Sequence, residues 1–98
     1  MTVISVLELR LKPERVGSAD DILRDTLNDT RARPGCLGVE VAIDVDDPAH
    51  VVVVEKWESL EADDDYRAWR ASPEGASALG SVIAEAPALS RSLLRDDI

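Results

Sequence analysis

Between Leu37 and Val45 every second residue is apolar. Leu37, Val39, Val41, Ile43 and Val45 fall on one side of an extended chain, and Gly38, Glu40, Ala42 and Asp44 on the other. A period of two does not fit a helix, so this segment is expected to be a strand with one buried face. Asp46-Asp47-Pro48-Ala49 supplies turn residues, and a second β-rich run follows from Val51 to Glu58, so the two make a hairpin. A lone hairpin is marginal in water, so the rest of the chain must extend the sheet and cover it.

The flanking segments provide those parts. Residues 2–12 mix β-branched and apolar residues, with Ser5, Leu7, Leu9 and Leu11 on one side, and Lys12-Pro13 should end the strand. From about Ser18 the spacing changes to Ile22, Leu23, Thr26, Leu27 and Thr30, one face of a helix, with Ser18 and Asp21 as a capping pair. Arg33-Pro34-Gly35 stops that helix near Ala32. Ser59 caps a second helix to about Ala71, Ser72-Pro73 restarts a short one through about Ala84, and Ala88 to Leu94 reads as a closing strand.

The order strand, helix, strand, strand, helix, strand is that of an α+β ferredoxin-like split βαβ, a four-stranded antiparallel sheet with helices on one face, in a single domain over residues 1–98. The other sheet face would need covering, and a second copy's sheet is the simplest cover. A chain of 98 residues buries only about two thirds of its unfolded surface, so pairing would help it.

Charge and cysteine content narrow the role. A net charge of −9 does not suit a phosphate-binding surface, so no nucleic-acid partner is expected. No apolar stretch suggests a membrane span, and the first ten residues lack the basic start and unbroken apolar run of a signal peptide, so a cytoplasmic location is the default. Cys36 is the single cysteine, which leaves no internal disulfide or Cys-pair metal site. Asp44, Asp46 and Glu55 match part of a calcium-loop spacing, but Ala49 occupies the position that needs Gly, so no metal is expected there.

Arg33-Pro34-Gly35-Cys36-Leu37-Gly38, Asp44-Val45-Asp46-Asp47-Pro48, Val54-Glu55-Lys56-Trp57-Glu58-Ser59 and Ala68-Trp69-Arg70-Ala71-Ser72-Pro73-Glu74 occur in this order and spacing. Together they resemble the antibiotic biosynthesis monooxygenase family. That resemblance implies a homodimeric α/β barrel with an apolar pocket between sheet and helices in each subunit. It also implies one of several activities: oxidation of polycyclic aromatics by molecular oxygen without a cofactor, haem degradation, or handling of small quinones and signalling molecules. Since one fold hosts many functions, the residues must arbitrate.

The resemblance makes Trp69 and Tyr66 the catalytic candidates. The Trp69 indole would stack on a flat substrate or else anchor the helix, and Tyr66, three residues earlier on the same face, would hydrogen-bond a substrate oxygen. A phenol titrates at about 10 and would need tuning to act as a base. Trp57 and Ser5 are the substrate-binding candidates, with Trp57 expected beneath the helix and Ser5 on the first strand. Arg67 and Arg70 read as solvated or paired with Asp63 and Asp64, and the Asp63-Asp64-Asp65 run as an exposed first turn. The family it resembles often reads Ser-Pro-Glu-His where this chain reads Ser72-Pro73-Glu74-Gly75, and no His follows Trp69 to stand for the ligand of the haem-degrading branch, so haem is not an expected cofactor. The sole His50 falls in the hairpin loop, and Cys36 reads as a packing residue.

Two functions remain open at this stage. One is a cofactor-independent monooxygenase acting on a polyketide-type phenol or anthrone, for which the sequence offers no evident base: the substrate ionises unaided, or a polar residue such as Ser5 assists. The other is a non-catalytic dimeric binding or accessory domain for a small apolar ligand.

Overall fold

A computed structural model describes residues 1–98. Strand β1 (Val3–Arg10) leads through a 3₁₀ segment (Pro13–Ser18) into helix α1 (Ala19–Arg31). The hairpin of β2 (Cys36–Ile43) and β3 (His50–Trp57) leads into α2 (Leu60–Ala71), and β4 (Ala88–Leu93) closes the chain. The strands lie in the order β2-β3-β1-β4, every neighbouring pair antiparallel, which is the ferredoxin-like α+β arrangement expected from the sequence. No helix is long and apolar enough to cross a membrane.

Alternation along the central strands sorts the two faces. On β1 and β3, Val3, Ser5, Leu9, Val51, Val53, Glu55 and Trp57 are buried against the helices. The residues between them, including Ile4, Val6, Val52 and Val54, are half-buried on the open face. Leu9, Val51 and Val53 pack with Leu23 and Leu27 of α1 in the larger apolar cluster, and Val3, Trp57 and Tyr66 form a smaller one.

The edge strand departs from strict alternation. The pairing register slips between Cys36 and Gly38, and this bulge separates Leu37 from Val39 and sets it with Ile4, Val54 and Lys56. Val39 stays buried, whereas Val41 and Ile43 flank α1 half-exposed and Val45 lies beyond the strand, 97% exposed. The row predicted from Leu37 to Val45 is therefore split. At Gly35 the backbone is left-handed (φ +82°), and a Cβ there would stand 2.6 Å from Ala62 Cβ, so the turn into β2 requires glycine.

Two local expectations are corrected. Ser18 does not cap α1; its hydroxyl accepts from Arg15 Nε (3.2 Å) and donates to the Arg15 carbonyl (3.3 Å), because the 3₁₀ segment brings Arg15 within its reach. The predicted helix after Ser72 is instead two 3₁₀ turns, Pro73–Gly75 and Ala78–Ser81, separated by extended Ala76. The backbone then spends its hydrogen bonds on the sheet: Lys12 N–H donates to Val82 O (2.8 Å) and Ala84 N–H to Arg10 O (2.7 Å). Ser59 caps α2 as expected, accepting from the Ala62 amide at 3.1 Å.

His50 opens β3 as a tie between strands. Its Nδ1 lies 2.9 Å from Asp44 Oδ2 and its Nε2 3.1 Å from Glu8 Oε1, and these carboxylates hold the imidazolium, raising its pKa above the ordinary 6.5. A folded-state pKa above the unfolded one contributes stability that is full below about 6.5 and is lost as pH rises through the raised value. Urea unfolding between pH 6 and 9 is therefore expected to show stability falling with pH in the wild type, with a flatter profile in His50→Asn. Parallel profiles would contradict the tie.

Candidate active site

One row of the helix-facing side breaks the apolar pattern. Ser5 of β1 pairs with Glu55 of β3 on one side and Arg91 of β4 on the other, and Glu55 pairs onward with Val39 of β2. Ser5 and Glu55 are buried, and over them α2 sets Asp63 and Arg67 one turn apart. Buried charges persist only when paired, and here the pairing is continuous. Arg91 Nη1 reaches Asp63 Oδ2 (3.3 Å), which also accepts from Ser5 Oγ (2.8 Å). Arg67 Nε lies 3.0 Å from Asp63 Oδ1, an ionic contact whose N–H is not aimed for a hydrogen bond, and Arg67 Nη2 donates to Glu55 Oε1. Trp57 Nε1 donates to that same oxygen at 3.2 Å.

Burial pushes the Glu55 carboxyl up from its ordinary range more strongly than Arg67 and the Trp57 hydrogen bond pull it down, and Asp63 adds to the upward shift. Asp63 itself is wholly buried, which overturns its reading as part of an exposed first turn, because it sits under Ser5 and Arg91 while Asp64 faces outward.

Beside this row a cavity of about 410 Å³ lies between the sheet and the helices, within the size range of small-molecule sites. Leu7, Leu9 and Val53 line it from the sheet, Leu23 and Leu27 from α1, Leu79 from the 3₁₀ turn at Ala78–Ser81, and Ile83 from just beyond that turn. Glu55, Tyr66, Arg67 and Arg70 provide its polar end.

Of the residues singled out from sequence, Tyr66 lines this cavity; Trp69, Trp57 and Ser5 do not. Trp57 is wholly buried with its ring stacked on Tyr66 at 4.8 Å. Trp69 lies 6.2 Å from the Tyr66 ring and is held between the guanidinium groups of Arg33 (4.2 Å) and Arg70 (4.8 Å), a cation–π arrangement. The three aromatics thus form one group, with Tyr66 at the cavity wall and the two indoles outside the lining, while Ser5 belongs to the charge chain.

Arg70 is not solvated. It donates to Tyr66 Oη (2.8 Å), Gly75 O (3.1 Å), Thr26 O (2.7 Å) and Thr30 Oγ1 (3.0 Å), tying α2 to α1 and to the following turn. Tyr66 Oη also lies 2.7 Å from Thr30 Oγ1, so the phenol is held within the protein. At Gly75 an added Cβ would stand 2.0 Å from the Trp69 carbonyl, so no side chain fits without moving the turn. Burial raises the Cys36 thiol, which works against a nucleophilic thiolate.

Glu55 and Arg67 were not proposed for the site from sequence. A signal was present: Val51, Val53, Glu55 and Trp57 share the inward period of β3, and a carboxylate on a buried face requires an explanation.

The charge chain generates a stability prediction. Asp63→Ala removes the buried acceptor shared by Ser5, Arg67 and Arg91, leaving Arg67 with Glu55 and Arg91 with Asp64, and is expected to cost about 2–3 kcal/mol, whereas Asp64→Ala, at an exposed pair, should cost under ~1 kcal/mol. Equal losses in denaturant unfolding would show that the chain is not a buried unit.

A family model described as antibiotic biosynthesis monooxygenase matches residues 2–78. Among solved structures, one described as an antibiotic biosynthesis monooxygenase superposes with a TM-score of 0.78 at 20% identity, covering 95% of this chain and 98% of that one. A Deinococcus radiodurans protein gives 0.78 at 24% identity over 98% and 95% of the two chains, and a Mycobacterium tuberculosis protein 0.78 at 20% over 98% and 97%. At these identities the likeness shows the fold. A comparison with curated proteins finds no match.

Proposed function

Because the chain belongs to the antibiotic biosynthesis monooxygenase family, we propose that it is a cofactor-independent monooxygenase oxidising a flat polyketide-type phenol or anthrone with molecular oxygen. The observation carrying this reading is the cavity: leucine, valine and isoleucine walls closing on a polar end, the form of a site that orients one edge of a flat apolar molecule. An anthrone that has lost a proton can give an electron to oxygen, and recombination forms a carbon–oxygen bond. Loss of water then leaves the ketone, so that CH₂ and O₂ become C=O and H₂O. Neither haem nor a metal takes part. The protein's share is to bind the ring, exclude water from the radical pair and manage the proton.

In this reading the Tyr66 ring forms a wall of the site, with Trp57 and Trp69 keeping it in place from behind. Ser5 acts through Asp63 on the charge chain. The active form is a homodimer. Ile4, Val6, Val52 and Val54 run along the open sheet face, and a second copy's sheet would cover them.

The internal hydrogen bonding of Tyr66 and Arg70 favours a second reading, a dimeric binding domain without turnover, because those polar groups already have protein partners. Oxygen uptake with anthrones and dihydroxynaphthalenes separates the two. The wild type should exceed the protein-free rate and form quinone. Ala76→Trp, which places an indole at an exposed position of the cavity lining, should lower kcat/KM at least about tenfold, and Trp69→Phe should lower it less. Uptake at the protein-free rate across the panel would leave the binding domain.

Val54→Glu puts a charge in the middle of the open face and should yield monomers in sedimentation velocity. An unchanged mass would exclude this face as the dimer contact.

A further inference from the structure

The oxidation needs a proton acceptor, and the sequence alone offered none. Glu55 meets the geometric conditions. It is 1% exposed, lines the cavity, and receives both of its hydrogen bonds, from Trp57 Nε1 and Arg67 Nη2, on the one oxygen Oε1. Oε2 has no protein partner and is not among the sealed-off unpaired atoms, so its accessible side is the cavity. The carboxylate is thereby fixed in orientation through one oxygen while the other is left free to accept.

We propose that Glu55 is the catalytic base, and that the substrate is a planar phenol or enol presenting an acidic hydroxyl to Oε2. This inference rests on the monooxygenase reading. The O–H bond breaks, its electron pair stays on the substrate oxygen, and the proton goes to Oε2. Negative charge thus passes from the carboxylate to the adjacent substrate oxygen, and Arg67, which also lines the cavity, faces an anion before and after the transfer. The charge count of the buried chain is unchanged, so the apolar surroundings do not oppose the step as they would oppose creating a lone ion.

Asp63 is a positioning residue in this scheme. It lies against Arg67 Nε while Glu55 takes Nη2, and is itself held by Ser5 and Arg91, so the guanidinium is shared between two carboxylates instead of being drawn wholly onto Glu55. The substrate class follows: a ring system with a free hydroxyl on one edge is accepted, and its O-methyl ether binds without reacting.

The test is the pH profile of oxygen uptake with 1,8-dihydroxyanthrone, corrected for its uncatalysed oxidation. The wild type should gain rate as a single group deprotonates and then level off. Glu55→Gln should lose at least about a hundredfold near neutrality and recover as the solution itself ionises the anthrone, the signature of a missing base. Glu55→Asp, which keeps the charge and guards against a folding failure of the first variant, should retain the shape of the profile at a lower plateau. A profile in Glu55→Gln superimposable on the wild type, or a Glu55→Asp profile that loses the wild-type shape in a folded protein, overturns the role of Glu55 while leaving the monooxygenase reading standing. A wild type with no uptake above the blank overturns both.

Discussion

The buried chain from Arg91 through Asp63 and Arg67 to Glu55 is the constraint around which the rest is arranged. It occupies a row that an ordinary half-buried sheet would fill with valine and leucine, and it divides the helix-facing side into two apolar clusters. Desolvating the two carboxylates, Asp63 and Glu55, is costly, and the cost is offset only while the partly exposed Arg67 and Arg91 stay paired with them. The position of α2 over the sheet is therefore tightly specified. Sliding the helix by one residue would point Asp63 and Arg67 away from Ser5 and Glu55 together.

A second set of contacts fixes α2 to the remainder of the helical layer. Arg70 binds carbonyls of α1 and of the turn after α2, the Tyr66 hydroxyl joins the same group, and Trp69 is held between two guanidinium groups. The cavity lies between these anchor points. Its walls are apolar and its polar end is rigid, which is what orientation of a flat substrate requires. Gly75 shows how close the packing is, since even a methyl group there would collide with the Trp69 carbonyl.

Much of the fold was legible in the sequence because it rests on periodicities that local sterics enforce. The hairpin, both helices, the Ser59 cap and the closing strand all appear where the pattern of apolar residues and breakers put them. The misreadings have physical causes. Leu37 and Val39 were placed in one row because alternation assumes an unbroken register, and a bulge breaks it. The region after Ser72 was read as helix from its Pro and its alanines, yet its backbone groups find partners on β1.

The sequence by itself determined the order of the elements, the alternation along β1, and the presence of Tyr66, Trp57 and Trp69 near one another around α2, because those depend on residues close in the chain. Tertiary structure alone decided which side chains share the cavity. Trp69 is not part of its lining, Tyr66 lines it, and Glu55, twelve residues from Arg67 and fifty from Ser5, becomes its buried carboxylate. Charge and hydrogen-bond partners across strands are set by register and by how a helix lies over the sheet. Neither is encoded in local spacing, so a polar row assembled from β1, β3, α2 and β4 is visible only once they are packed.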